Sequence, residues 1–251
     1  MIARVAPVAF TAALLAVTGA GCGSRGAAPP SAPGFERVHF RATDGVRLDG
    51  RLYGRGRAGV ALVHMGRGGD SQLDWQQFAR LLAAKGYLVL TYNRRGICAR
   101  TAGGCSGGVD DYASSWRDVV GAFRFLERKH VARTVVIGAS IGAMSSLYAA
   151  SEGLIEPAGL VEFGGINHAS GYDFGRAQIR RIGGRKLFLS SREDIYGGGR
   201  AAREWYVWAS PPKSLELLPG SVHGTDLLRP DNAQHKRVEK LLLDFVEQVS
   251  G

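Results

Sequence analysis

The sequence predicts an α/β fold: a mostly parallel central sheet, helices on both of its faces and an antiparallel hairpin at the N-terminal edge. Three observations predict it. Short apolar runs without alternation recur at Val60–Val63, Leu88–Leu90, Thr134–Ile137, Leu160–Val161 and Lys186–Leu189, as expected of strands buried on both faces. Helical patterns stand between them at Trp75–Ala84, Asp111–Lys129 and Ile141–Ala150, so strand and helix alternate and each pair of strands is joined by a crossover. The segments Val38–Phe40 and Leu48–Tyr53 alternate instead and flank Asp44-Gly45, a turn dipeptide that closes a hairpin.

The elements follow in order. In the second helical segment Trp116, Val119, Val120, Phe123 and Leu126 fall on one stripe, which marks the face turned to the sheet. Ser214–Leu218 reads as the last strand. Ala233–Val249, with Val238, Leu241, Leu242 and Phe245 inward, closes the core. A chain of 251 residues, 45% hydrophobic and 22% charged, has enough apolar material for one sizeable domain, placed at residues 36–251.

Residues 1–21 have a different character. Arg4 precedes an apolar run from Val5 to Val17, and small residues follow up to Gly21, the layout of a signal peptide. The run is short for a bilayer span, which takes about 20 apolar residues, so the mature protein is expected to carry no transmembrane helix. Gly19-Ala20-Gly21-Cys22 resembles a bacterial lipobox, which implies lipidation of Cys22; its departure is Gly19, where an apolar residue is usual, and cleavage without lipid is the alternative. Residues 22–35, with Pro29, Pro30 and Pro33 among small residues, read as a flexible tether. The expected location is therefore outside the cytoplasm, on the cell envelope or secreted.

Export puts the cysteines in an oxidising compartment. With Cys22 taken by lipid, Cys98 and Cys105 remain as an even pair, for which a disulfide is expected in preference to two free thiols. No Cys-x-x-Cys or neighbouring His suggests a metal site, and no metal or organic cofactor is expected. The formal net charge of +10 favours anionic surroundings, yet the basic residues form no stripe interleaved with aromatics, which argues against nucleic acid as a partner. Membrane contact is expected only through the N-terminal lipid, and the oligomeric state stays open.

Two G-x-S-x-G strings occur, and context separates them. Gly104-Cys105-Ser106-Gly107-Gly108 has no strand before it and no apolar helix after it, so Ser106 reads as a loop residue. Gly138-Ala139-Ser140-Ile141-Gly142 lies between the strand ending at Ile137 and a helix beginning at Ile141. A nucleophile belongs on such a sharp turn, because the glycines permit the strained backbone and the helix N-terminus aims N–H groups at a developing oxyanion.

A serine hydroxyl needs a base, and a base needs an orienting acid. Asp194 follows the strand ending at Ser190 and His223 follows the strand ending at Leu218, which gives the chain order Ser140, Asp194, His223 with each residue at the C-terminal end of a strand. Functional groups of open parallel sheets converge at that edge. Glu193 is the competing acid. For the oxyanion hole, one donor is assigned to the Ile141 N–H and the other to the N–H of Met65 or Gly66, after the strand Val60–Val63; the choice between those two stays open. His64 is read as bracing that loop.

Val63-His64, Trp75 with Phe78 and Leu81-Leu82, Gly86-Tyr87, Asn93-Arg94-Arg95-Gly96, Gly138–Gly142 and Pro219-Gly220 before His223-Gly224 together resemble the α/β-hydrolase superfamily over residues 36–249, nearest to its dienelactone-hydrolase-like and esterase-like members. The resemblance implies the α/β-hydrolase fold and a serine hydrolase acting on a small acyl substrate, most simply a carboxylic ester. A catalytically silent binding module, or a peptidase or thioesterase on the same fold, are the alternatives. No large cap domain is evident. Gly171–Arg181 is the one stretch long enough to overhang the site; its arginines at 176, 180 and 181 could favour an anionic substrate group, and a solvated cationic loop is the simpler reading.

Overall fold

A computed structural model describes residues 34–63, 72–98 and 104–251. The expectations placed on residues 1–33, including the signal peptide and Cys22, and on His64, Met65 and Gly66, lie outside the described residues.

The N-terminal hairpin pairs β1 (Phe35–Arg41) with β2 (Arg47–Tyr53), antiparallel, with Phe35 opposite Tyr53. Strand β1 thus opens at Phe35, inside the stretch read from sequence as tether. The remaining sheet strands are β3 (Ala58–Val63), β4 (Leu88–Tyr92), β5 (Arg133–Ala139), β6 (Gly159–Phe163), β9 (Arg185–Ser191) and β10 (Lys213–Leu218). They assemble in the order β1-β2-β4-β3-β5-β6-β9-β10. Strand β2 runs antiparallel to β4, and every pairing from β4 to β10 is parallel.

Helices cover both faces because the central strands alternate two sets of apolar side chains. On one face Val135, Ile137, Val161 and Leu189 meet Trp75, Phe78 and Leu82 of α1 (Gln72–Ala84) and Val238, Leu242 and Phe245 of α6 (His235–Ser250). On the other, Val136, Leu160 and Phe188 meet Val119 and Phe123 of α2 (Trp116–Glu127), Met144 and Leu147 of α3 (Ile141–Ser151), and Ala201, Ala202 and Trp205 of α5 (Gly198–Trp208). Burying side chains of this size contributes about 1.5–3 kcal/mol each. Trp75 also donates its Nε1–H to the Val63 carbonyl at 3.1 Å, pinning α1 to the C-terminal end of β3.

Between β6 and β9 the chain forms a two-residue hairpin, β7 (His168–Ala169) and β8 (Tyr172–Asp173), and then the short helix α4 (Arg176–Arg181). Ser170 and Gly171 at its tip have φ of +55° and +85°, the left-handed pair that a tight hairpin turn requires. This small insertion stands where a cap domain would be.

Cys98 and Cys105 form a disulfide, with Cα atoms 4.0 Å apart. The chain on either side of Cys105 is held to β2. The Gly107 N–H donates to the Arg47 carbonyl at 2.7 Å, and the Gly104 N–H donates to the Asp49 carboxylate at 3.2 Å.

Candidate active site

Three strand ends bring the candidate residues together. Ser140 links β5 to α3 with φ +55° and ψ −119°, a conformation that costs free energy in a residue with a side chain and persists only where the surroundings impose it. They do so by close packing: a Cβ on Gly138 would lie 2.4 Å from the Gly142 carbonyl oxygen, so strand and helix can approach this closely only with glycine there. The turn presents the Ser140 hydroxyl, partly exposed, above the sheet.

Asp194 sits in the turn after β9 with its carboxylate fully buried. It accepts the Tyr196 N–H at 2.9 Å and the Gly198 N–H at 3.4 Å, so the start of α5 turns donors toward its negative charge. Glu193, the competing acid, is exposed, with its backbone N–H bound to the Gly220 carbonyl at 3.1 Å. The strand register therefore turns Asp194 inward and Glu193 out.

His223 follows β10 and completes the chain of contacts. Its Nδ1 lies 2.8 Å from Asp194 Oδ2, and its Nε2 lies 2.8 Å from Ser140 Oγ. Because the carboxylate only accepts, Nδ1 carries the proton and Nε2 is left to accept the serine O–H. The Tyr196 ring stands edge-on to the imidazole, centroids 4.6 Å apart.

The Ile141 N–H opens α3, where a helix has no internal acceptor to offer it. The other two expected donors, Met65 and Gly66, are not among the described residues. Strand β3 does leave the sheet beside the serine turn, with Val63 paired to Gly138. Ser106, the second G-x-S-x-G serine, is buried and does not line this cleft. It donates to the Asn93 carbonyl at 2.5 Å and accepts the Asp49 N–H at 2.9 Å.

Ser140 and His223 open onto a cleft of about 690 Å³ whose walls include Tyr112, Ile141, Met144, Ile166, Ile195, Tyr196 and Val222. Sequence reasoning had no signal for this wall beyond the apolar residues themselves. Ala169 and Ser170 of the β7–β8 hairpin also line it. Of the two readings of this stretch the solvated one holds: Arg176, Arg180 and Arg181 are exposed on α4, none lines the cleft, and Arg181 pairs with Glu152 at 3.3 Å. The physical reason is that Tyr172, Phe174 and Ile179 are the buried residues of this stretch, which turns its charges to solvent. The Tyr172 hydroxyl donates to the Tyr112 carbonyl at 2.9 Å and lies 3.2 Å from Ser145 Oγ on α3, so hairpin, cleft wall and helix are locked together.

Behind the site, Glu162 on β6 pairs in register with Gly138. It is fully buried, and neither carboxyl oxygen has a hydrogen-bond partner among the described residues. Burial pushes this carboxyl well above the usual carboxylate range, which favours its protonated form.

The family model described as alpha/beta hydrolase fold matches residues 60–157, from within β3 to beyond α3 and including the serine turn. An esterase of Pyrococcus furiosus superposes with a TM-score of 0.72 over 87% of this chain and 92% of its own, at 16% identity. This is the α/β-hydrolase fold. The esterase domain of a Rhodothermus marinus protein is similar over 87% of this chain and all of its own (TM-score 0.64, 18% identity). The acylaminoacyl peptidase of Pyrococcus horikoshii is similar over 87% of this chain and 42% of its own (TM-score 0.65, 16% identity). No curated protein sequence matches the chain. Identities of 16–18% carry the fold and leave the chemistry to the site itself.

Proposed function

We propose that the protein is an exported serine hydrolase that cleaves a carboxylic ester through an acyl-enzyme. The observation that carries this reading is the continuous hydrogen-bonded chain from Asp194 through His223 to Ser140, with the serine held at a positive φ on a strand-to-helix turn. His223 Nε2 takes the hydroxyl proton as Ser140 Oγ bonds to the substrate carbonyl carbon. The oxyanion that results is met by the Ile141 N–H and by an N–H from Met65 or Gly66. The imidazolium, steadied by Asp194, returns the proton to the alkoxy oxygen as the C–O bond breaks and the alcohol leaves. Water then repeats the sequence on the acyl-enzyme and releases the acid.

The cleft supports a neutral, largely apolar acyl or alcohol group: among the described residues no Lys or Arg lines it, and Asp226 is the one carboxylate in its wall. The alternative of peptide hydrolysis on the same site draws on the likeness to the acylaminoacyl peptidase. Turnover of short neutral acyl esters by the full chain, lost in Ser140→Ala, tests the proposal; retained turnover in that variant rejects it. The export reading rests on the layout of residues 1–21 and on Cys22. Mass spectrometry of the mature N-terminus checks it, a diacylglyceryl adduct on Cys22 being the expected result.

A further inference from the structure

Two adjacent arginines follow β4 and are used differently. Arg95 is fully engaged: it binds Asp118 at 2.7 Å and Asp44 at 2.8 Å, and its backbone N–H donates to Asp118 at 2.8 Å. Arg94 is just as buried, at 2% exposure, yet only one edge of its guanidinium is used. Nη1 pairs with Asp110, and the plane lies over the Tyr112 ring with Cζ 4.3 Å from the centroid. Nε and Nη2 have no hydrogen-bond partner among the described residues. A buried cation with idle donors is costly and calls for a reason.

Its position supplies one. Arg94 lines a void of about 10 Å³ together with Val63, Ser115, Ile141, Gly142 and Ser145. The room is that of a single water. Ile141 and Gly142 form the first turn of α3, directly after Ser140, and Ile141 lines both this void and the catalytic cleft. The guanidinium thus stands behind the peptide whose N–H faces a developing oxyanion.

Resting on the hydrolase reading above, we propose that Arg94 is a positioning residue for acyl transfer, whose buried charge adds positive potential behind the first turn of α3 where the oxyanion forms and favours the neutral, proton-accepting form of His223. It touches neither substrate nor the reacting atoms. Among the described residues the other titratable groups around it are Asp110, Tyr112, Tyr92 and the Arg95–Asp44–Asp118 cluster; those facing His223 are Asp194, Tyr196 and Asp226. Asp110 lies on the solvent side, its side chain about half exposed, and partly neutralises the cation.

The test uses the full chain with a short p-nitrophenyl ester and three variants. Arg94→Met should lower kcat about tenfold with KM within about twofold, less than the loss of a direct oxyanion donor, and move the acidic limb of kcat/KM upward in pH. Arg94→Lys should restore most of both. Asp110→Asn, a surface change that unmasks the cation, should leave kcat at or above the wild-type value and move the same limb downward, and it decides the matter if Arg94→Met fails to fold. An Arg94→Met enzyme with wild-type kcat and pH limb, or an Asp110→Asn enzyme that loses activity as Arg94→Met does, overturns the proposal. Absence of turnover by the unmodified chain is a failure of the hydrolase reading instead. In that event the His223 titration, followed by NMR, reads the effect of Arg94: an imidazole pKa that is the same in wild type and Arg94→Met overturns the proposal too.

Discussion

Ser140 and Ser106 stand in the same five-residue pattern, and the fold puts them to opposite uses. Among the described residues the Ser140 hydroxyl has one hydrogen-bond partner, the His223 imidazole, in a cleft that opens to solvent. Ser106 is closed in, donating to a carbonyl of the loop after β4 and accepting an N–H of β2, so its hydroxyl joins three segments of chain. At Ser140 the hydroxyl proton faces a ring nitrogen that can accept it, whereas at Ser106 the hydroxyl is a brace, committed to one donated and one accepted hydrogen bond. The difference lies in what precedes and follows the motif, a strand and a helix in one case and a disulfide-closed loop in the other.

The contrast can be broken from either side. Ser140→Ala should reduce ester turnover by at least about 10⁴-fold with little change in Tm, since the hydroxyl supports no other part of the fold; steady-state kinetics beside a thermal melt check both. Asp194→Asn should cost about 10³–10⁴-fold in kcat, because the amide can donate to Nδ1 and so favours the wrong tautomer. Glu193→Gln, on the exposed neighbour, should change kcat less than about twofold, and a larger loss there would reassign the acid.

Ser106→Ala should do the reverse of Ser140→Ala. Turnover should stay within about threefold, while stability falls by about 1–3 kcal/mol as the Asp49 N–H and the Asn93 carbonyl lose a buried partner. Denaturant unfolding measures that loss.

The smallest effect concerns Glu162. Its folded carboxyl keeps a proton that the unfolded chain releases above about pH 4.3. The folded pKa is raised, so this group's contribution is fully present below that pH and is lost progressively as pH rises toward the folded pKa. Glu162→Gln removes the slope. The variant's Tm, relative to wild type, should rise by a few °C between pH 4 and pH 8, and a constant difference would show that Glu162 does not stay protonated.

Much of this arrangement was legible in the sequence, for identifiable reasons. Buried parallel strands are continuous apolar runs, so β3, β4, β5, β6 and β9 announce themselves, and the residues just after them are where a site must form. Glu193 competed with Asp194 because a one-residue uncertainty in the strand end swaps which carboxylate points inward; in the structure Glu193 is exposed and Asp194 buried. Helix α5 escaped notice because it opens on Gly197-Gly198-Gly199, which reads as a loop. Close packing explains those residues, since a Cβ on Gly199 would lie 2.5 Å from the Ser191 and Arg192 carbonyl oxygens. Helix α2 begins at Trp116 and not Asp111, because Tyr112 and Ser115 are held in a turn, with Ser115 Oγ donating to the Tyr112 carbonyl at 2.6 Å. The cleft walls were beyond reach: they depend on how the 112–115 turn and the β7–β8 hairpin meet, a matter of tertiary contact through Tyr172 and not of local pattern.

The most direct test of the account is labelling of the intact chain with a fluorophosphonate, followed by peptide mapping of the adduct. The account predicts a single adduct on Ser140 that vanishes in Ser140→Ala and persists in Ser106→Ala. A folded protein that takes no label, or one that takes it on Ser106, would contradict it.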